Sequence, residues 1–522
     1  MGTYFNPDNE SFRQDINSRI YVDKTGLIEE LNQVLGTSEK CIALSHARRF
    51  GKSQAAGMID AYYSLGSDSK ELFSKYEISK KPDFEEHLNK YNVIHIDVSS
   101  FTDSYKDKLV ENIWRMLYNE MKEVYEDLME ASSTVGAVLM QVYKKSGRPF
   151  VIILDEWDCV VRNHADRPDL VHEYLQFLHS LFKSEESKKF LVLAYITGIL
   201  PVKKIKDESA LNNFIEYTML GADNFTPYFG FTEEEVKDLC VKYEMNFDSV
   251  KEWYNGYLID GMHMYNPNSV YQAMVRHKLN SYWKNTSAFD TINTYITLNY
   301  DGLKEDVLKM LSGGRVPVIV NTFSNDLSII NSRDEALTAL IHLGYLGYDA
   351  ESEEAYIPNY EVALAYQAAL ATGSWNEVAK TISKCQELLM ATIRKNTERV
   401  AELVELAHEA YTSILKYNDE NFLSCCITMA YFTAPAYYNV IREFPSGKGF
   451  ADMALIPRAD AGNKPAMIIE LKNEKASYTA IQQIKEKRYA GQLKGYGKEV
   501  LLVGISYDKE KRNVCEIESV EL

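Results

Sequence analysis

The chain has 522 residues, 46% of them apolar and 25% charged, which excludes collagen-like, mucin-like and wholly disordered chains. At ~150 residues per domain there is room for about three. Its 57 Lys/Arg stand against 75 Asp/Glu, a net charge of −18, so the molecule as a whole is no generic binder of polyanions. The imbalance is local. Residues 440–522 carry 14 Lys/Arg and 12 Asp/Glu, so nucleic-acid work is expected near the C-terminus.

The N-terminal stretch (MGTYFNPDNESFRQD) has no apolar core of a secretory signal and no hydroxyl residue at position 6 for myristoylation. The first 225 residues alternate apolar strands with helical patterns. Strands are expected at Cys41–Ser45, Asn92–Val98, Phe150–Leu154 and Phe190–Thr197, with helices such as Tyr105–Leu128 and Leu170–Phe182 between them. That pattern predicts a parallel sheet covered on both faces.

Residues 46–53 read His-Ala-Arg-Arg-Phe-Gly-Lys-Ser. The P-loop pattern is G-x-x-x-x-G-K-[ST]; Gly51, Lys52 and Ser53 match, and His46 stands at the first glycine. A short apolar strand precedes it and a helical run follows, the context a phosphate cradle needs. Lys52 supplies charge to the outer phosphates of ATP and Ser53 a hydroxyl to Mg²⁺. Arg49, Phe50 and Gln54 flank these positions and join the candidate nucleotide contacts. For Arg48 and Arg49 two readings stand: phosphate or subunit contacts, or pairing with local acids. Strand Phe150–Leu154 ends in Asp155-Glu156. Asp155 fits the Mg²⁺ role and Glu156 that of polarising the attacking water. Thr197, at the end of the next strand, is either a γ-phosphate sensor or an ordinary strand-terminal turn.

Thr232 and Glu235 form a capping-box pattern that opens a new helix. From there to about residue 404 the chain reads as mostly helical, with one hairpin near Tyr345–Glu361. A helix followed by a hairpin resembles a winged-helix arrangement. The aromatic runs Trp253–Tyr257 and Tyr265–Pro267 fit either base stacking or a packing patch with a turn at Asn255-Gly256. Residues 421–441 are uncharged but hold Ser424, Thr428, Thr433, Pro435 and Asn439, and read as a buried helix and strand with no membrane span. The seven cysteines include no CxxC pair, as expected of reduced thiols in a cytoplasmic protein.

The last stretch has the order αβββαβ with an added strand. A helix over Glu420–Thr433 precedes strands Tyr437–Glu443, Phe450–Ile456 and Ala466–Lys472; helix Tyr478–Tyr489 and strands Glu499–Tyr507 and Arg512–Val520 follow. Glu470 and Lys472 project together from one strand, and Asp452 lies on the strand before it. Converging carboxylates favour a hard divalent cation, Mg²⁺ or Mn²⁺. Lys472 then orients or deprotonates a water. Glu420 on the preceding helix offers either a further ligand or a contact that supports the ligands. Gln483, on the helix that also carries Lys485, Lys487 and Arg488, offers a contact to the nucleophile or the backbone phosphate.

Several motifs stand in one order: Tyr21–Thr25, Arg48–Ser53, Leu154–Asp158, Gly230–Glu235, Trp253–Tyr257, Tyr265–Pro267, Arg442-Glu443 with Gly447–Asp452, and Glu470–Lys472. Together they resemble the prokaryotic family that joins an AAA-ATPase-like domain to a C-terminal PD-(D/E)XK nuclease-like domain. The resemblance implies a P-loop α/β domain over 1–225, a helical lid or linker over 226–404, and a restriction-endonuclease-like domain over 405–522. It implies nucleotide binding at Lys52 and Ser53, with Asp155 and Glu156 as the Mg²⁺ and water-activating acids. Glu420, Asp452, Glu470, Lys472 and Gln483 match the nuclease positions. His46-Ala47 replaces the Arg-Pro of many relatives, and Ala451 the proline that names the nuclease motif.

The expectation is an ATP-dependent or ATP-regulated metal nuclease that acts on nucleic acid, DNA before RNA, and processes mobile-element or defence DNA. The alternative is an ATP-switched binding or signalling protein with a non-cleaving nuclease fold. AAA-like chains often form rings, but the sequence offers no secure arginine finger, so a homo-oligomer is left open; no membrane association is expected.

Overall fold

Valine-, isoleucine- and leucine-rich runs of five to eight residues favour strands, and burial on both faces favours parallel pairing. The computed structural model describes residues 2–521, apart from 103–107, 165, 203–210, 284–291, 296–299, 324–329, 373–375, 413–419, 447–448, 459–460, 474–476, 487–498 and 508–513. The chain folds as two units. Residues 1–245, 255–278 and 317–355 form one; residues 246–254, 279–316 and 356–522 form the other.

The first unit is built on a parallel sheet of β1 (Cys41–Ser45), β2 (Asn92–Asp97), β3 (Phe150–Asp155), β4 (Leu191–Gly198) and β5 (Ile215–Thr218), in the spatial order β2-β3-β4-β1-β5. Four of these strands fall within a residue of their expected ends; β5 was not expected. Even-numbered residues such as Ile94, Ile96, Ile152, Leu154 and Ile196 pack against helices Leu109–Val124 and Pro168–Phe182 through Leu117 and Leu178. Because β4 lies between β1 and β3, Thr197 sits between the loop after β1 and the acids after β3. Helix α1 (Lys52–Tyr63) follows β1, and α2 (Cys159–Asn163) follows β3.

Three short strands within residues 231–265 were not anticipated. Strand β6 (Phe231–Thr232) leads into helix α3 (Glu233–Lys242). Strands β7 (Tyr257–Ile259) and β8 (Met262–Tyr265) form a hairpin, and β6 pairs with β8. The hairpin turns at Asp260-Gly261, so Asn255-Gly256 precedes it. Helix α4 (Pro267–Arg276) begins with Asn266 as its cap and Pro267 at the first position. Helix Arg333–His342 runs into a second hairpin, Gly347–Asp349 with Glu354–Tyr356.

The second unit ends in a mixed sheet. It contains β9 (Tyr438–Ser446), β10 (Gly449–Pro457), β11 (Ala466–Asn473), β12 (Glu499–Tyr507) and β13 (Val514–Glu521), side by side in chain order. All neighbours are antiparallel except β11 and β12, which run parallel across helix α6 (Ser477–Glu486). Ala454, Ile456, Ile468, Val500 and Leu502 meet Ile481 and Ile484 of α6 to form the core. Helix α5 (Glu420–Ala430) precedes β9, and helices Asn376–Ile393 and Thr397–Thr412 precede α5. Among the described residues, no helix is long and apolar enough to cross a membrane.

Candidate active sites

The first site lies at the C-terminal ends of β1, β3 and β4, where a parallel sheet opens its crevice. Gly51 caps α1 with φ +88°, a left-handed conformation that glycine adopts without steric cost. The α1 N-terminus therefore turns its amides toward the loop, as an anion cradle requires. Lys52 is 5% exposed, and its Nζ donates to the carbonyls of His46 (2.8 Å) and Ala47 (2.9 Å). Burial lowers its pKa, and the fields of Glu156, Asp155 and Asp158 oppose that shift. Ser53 and Gln54 are exposed, Gln54 donating to Asp15 at 3.3 Å. Arg49 is exposed at φ +67°, while Phe50 is fully buried.

Asp155 is 4% exposed. The Thr197 hydroxyl donates to its Oδ1, and the Glu156 N–H donates to the same oxygen at 3.1 Å. Glu156 adopts φ +53°, unusual for a non-glycine residue and costly by about 1–2 kcal/mol. Its carboxylate meets Arg162 Nη2 at 3.1 Å. Arg162 Nε also lies 3.5 Å from Asp158 Oδ2, which accepts the N–H groups of Ile199 (3.1 Å) and Leu200 (2.9 Å). The structure thus brings Lys52, Asp155, Glu156 and Thr197 together.

Asp158 and Arg162 were missed by sequence reasoning. The available signal was their spacing of four on a short helix beside the Asp155-Glu156 pair. His46, at the first P-loop position, is fully buried between Phe50 and Phe229, with ring centroids 6.2 and 5.5 Å away. Burial, helped by the charge of Lys52, pushes its pKa down to about 3.

The aromatic motifs gain a role here. Lys24 Nζ donates to Glu235 Oε1 and to the Pro227 carbonyl, both at 2.7 Å. Glu235 also completes the capping box with Thr232. The Gly230 N–H donates to the Phe50 carbonyl (3.1 Å), and Asn266 Nδ2 to the Arg48 carbonyl (3.3 Å). Tyr257 packs edge-on to Phe50 at 5.2 Å. A cavity of about 70 Å³ opens beside Gly51 and Gln54, walled by Tyr21, Tyr228, Phe231 and Pro267.

The second site lies on β10, β11 and α6. Met453 pairs with Ile469, so continuing that register sets Asp452 opposite Glu470. Asp452 Oδ2 accepts the Leu471 N–H at 2.7 Å. Its carboxylate therefore sits on the backbone between Glu470 and Lys472. Lys472 Nζ lies 3.0 Å from Glu470 Oε1, and the Gln483 amide donates to the same oxygen. Glu470 is 2% exposed. Asp452, Glu470, Lys472 and Gln483 are thus assembled from two strands and the crossover helix. Glu420 opens α5, but its side chain lies outside the described residues, as do Lys487 and Arg488. Among the described residues no cluster of three or more His, Cys, Asp or Glu forms a metal cage. Two adjoining carboxylates remain an oxygen donor set of the hard kind that suits Mg²⁺ with waters retained.

Residues 10–206 match a family model described as a predicted AAA-ATPase, and residues 418–517 match the PD-(D/E)XK nuclease superfamily. The chain thus joins an AAA-ATPase-like region to a PD-(D/E)XK nuclease-like region. An uncharacterized protein in the vnfD 5' region of Azotobacter chroococcum mcd 1 is 24% identical over 520 residues, covering 95% of this chain and 94% of that one. Among solved structures, the ORC2 protein of Aeropyrum pernix, in ADPNP–ADP complexes, matches at 11% identity with a TM-score of 0.32. That match covers 71% of this chain and 100% of the other.

Proposed function

We propose that the first unit binds and hydrolyses ATP and that the second cleaves phosphodiester bonds under its control. The observation that carries the nuclease reading is the Asp452 carboxylate set on the Leu471 N–H, beside the Glu470–Lys472 pair. Asp452 and Glu470 would hold a divalent cation, Mg²⁺ or Mn²⁺, which when bound polarises the scissile phosphate and acidifies a water. Lys472 orients that water and offsets negative charge as it develops. Gln483 holds the Glu470 carboxylate in place from α6. Glu420 is assigned as an additional ligand on its motif match alone.

In the first unit, Lys52 exchanges two loop carbonyls for phosphate oxygens. Ser53 and Asp155 would hold the Mg²⁺ that neutralises the phosphates, with Arg49, Phe50, Gly51 and Gln54 around them. Thr197 fixes the Asp155 carboxylate. Glu156 orients the attacking water once it leaves Arg162. The substrate is nucleic acid, DNA before RNA, in mobile-element or defence processing, and the protein works as a homo-oligomer in the cytoplasm.

The test is a cleavage assay on single- and double-stranded DNA and RNA with Mg²⁺ or Mn²⁺, with and without ATP. Metal-dependent cutting that disappears in Lys472→Ala, and whose ATP response disappears in Lys52→Ala, supports the proposal. Binding without cutting in every condition would replace it with an ATP-switched binding protein.

A further inference from the structure

The second unit contains another cavity, of about 210 Å³, that neither candidate site uses. At ~30 Å³ per water, it holds roughly seven waters' worth of space, the size of a ring system. Tyr360, Tyr431, Phe432 and Met310 supply an aromatic and apolar wall, and Asn359 and Thr428 add polar edges. Arg442, on β9, lies at the cavity and is open to solvent.

The guanidinium of Arg442 rests against Gly313. A Cβ there would collide with it, and Gly313 has φ +84°. A residue without a side chain thus makes the seat for this head group. Among the described residues, no carboxylate forms an ion pair with Arg442. The cavity's one acid, Glu252, is already neutralised by Arg458 at 2.7 Å, with burial also raising its pKa. An arginine fork beside an aromatic wall, with its field uncancelled, matches a phosphate carried on a ring-bearing body.

Strand geometry separates this place from the nuclease residues. Arg442 pairs with Met453, which lines the cavity and pairs in turn with Ile469. Alternation therefore puts Arg442 and Met453 on one face of the sheet and Glu470 on the other.

We propose that this cavity binds a nucleoside monophosphate, the ring against Tyr360 and Phe432 and the phosphate on Arg442. Two sources carry that chemistry: a free mononucleotide and the 5'-phosphorylated end of a strand. The site does not depend on whether the other face of the sheet cuts nucleic acid.

Calorimetry on the full chain in EDTA, which stops metal-dependent cutting, tests this with AMP, GMP, CMP and UMP, the unphosphorylated nucleosides, and an oligonucleotide with or without a 5'-phosphate. The expected result is binding of a phosphorylated probe that persists in Lys52→Ala and weakens at least tenfold in Arg442→Gln. Arg442→Lys should recover part of it. Ala363→Leu, which fills the cavity without touching the charge, should weaken it too. A response confined to mononucleotides names the free ligand, and one confined to the phosphorylated oligonucleotide names the strand end. Binding unchanged in both Arg442→Gln and Ala363→Leu overturns the proposal. So does binding lost only in Lys52→Ala, equal binding of the unphosphorylated probes, or no binding of any probe. Unaltered thermal melting of Arg442→Gln guards against reading misfolding as lost affinity.

Discussion

The two candidate sites hold their buried charges with different kinds of partner. At the first site three acids have fixed partners: Asp155 a hydroxyl and a backbone N–H, Asp158 two backbone N–H groups, and Glu156 the Arg162 guanidinium. Lys52 is likewise held by its own loop's carbonyls. At Lys52 and Glu156 a ligand therefore has to exchange one partner for another. In the second site four groups from three elements meet: Asp452 accepts a backbone N–H of the next strand, and Lys472 and Gln483 both reach the Glu470 carboxylate. The first site thus leans on loop carbonyls and backbone N–H groups, the second on side chains from two strands and a helix.

The sharpest way to break that contrast is at Lys472. Lys472→Ala and Glu470→Gln should each lower strand cleavage by about 10³-fold, while ATP hydrolysis stays at the wild-type rate in a phosphate-release assay. Equal loss of both activities would mean the two sites are one mechanism. Next is Arg162→Ala, which leaves Asp158, a 0% exposed carboxylate, without its cation. Removing one member of a buried pair costs about 3 kcal/mol. Urea unfolding monitored in the first unit should show that loss, and a change below 1 kcal/mol would show the arginine to be dispensable.

His46 sharpens the comparison through pH. Its pKa falls from the usual 6.5 to about 3 in the folded chain. The unfolded chain therefore binds a proton that the folded one refuses, so stability is full above pH 6.5 and declines as pH falls from there toward about 3. The slope is about 1.4 kcal/mol per pH unit. Replacing His46 with Phe should flatten that part of the melting-temperature profile. An unchanged slope would assign the acid sensitivity to the carboxylates. The smallest effect belongs to Thr232→Ala, which removes the α3 cap and should cost about 1 kcal/mol, measurable as a small shift in the first unit's unfolding midpoint.

Much of this architecture was legible because periodicity and motif spacing are local. Strands β1 to β4 and the αβββαβ order follow from apolar runs and their turns. The capping box at Thr232 and Glu235 formed as its four-residue pattern predicts, both bonds included. Glu470 and Lys472 share a face by the two-residue period of a strand. The missing parts are those decided by tertiary pairing. Nothing local marks Asp158 as buried; its carboxylate is fixed by N–H groups of Ile199 and Leu200, some forty positions on. The hairpin of β7 and β8 was hidden because each strand is only three or four residues long. The Tyr21–Thr25 motif gave no chemistry until Lys24 was seen bound to Glu235, 211 residues away.

Strand β10 serves two masters. Asp452 and its neighbour Met453 belong to different sides of one sheet, a carboxylate for the centre around Glu470 and a thioether for the cavity behind it. Inserting or deleting a single residue just ahead of Asp452 would exchange the two, burying an acid among tyrosines and giving the metal position a sulfur. A one-residue slip of β10 would therefore disable both faces of the sheet at once.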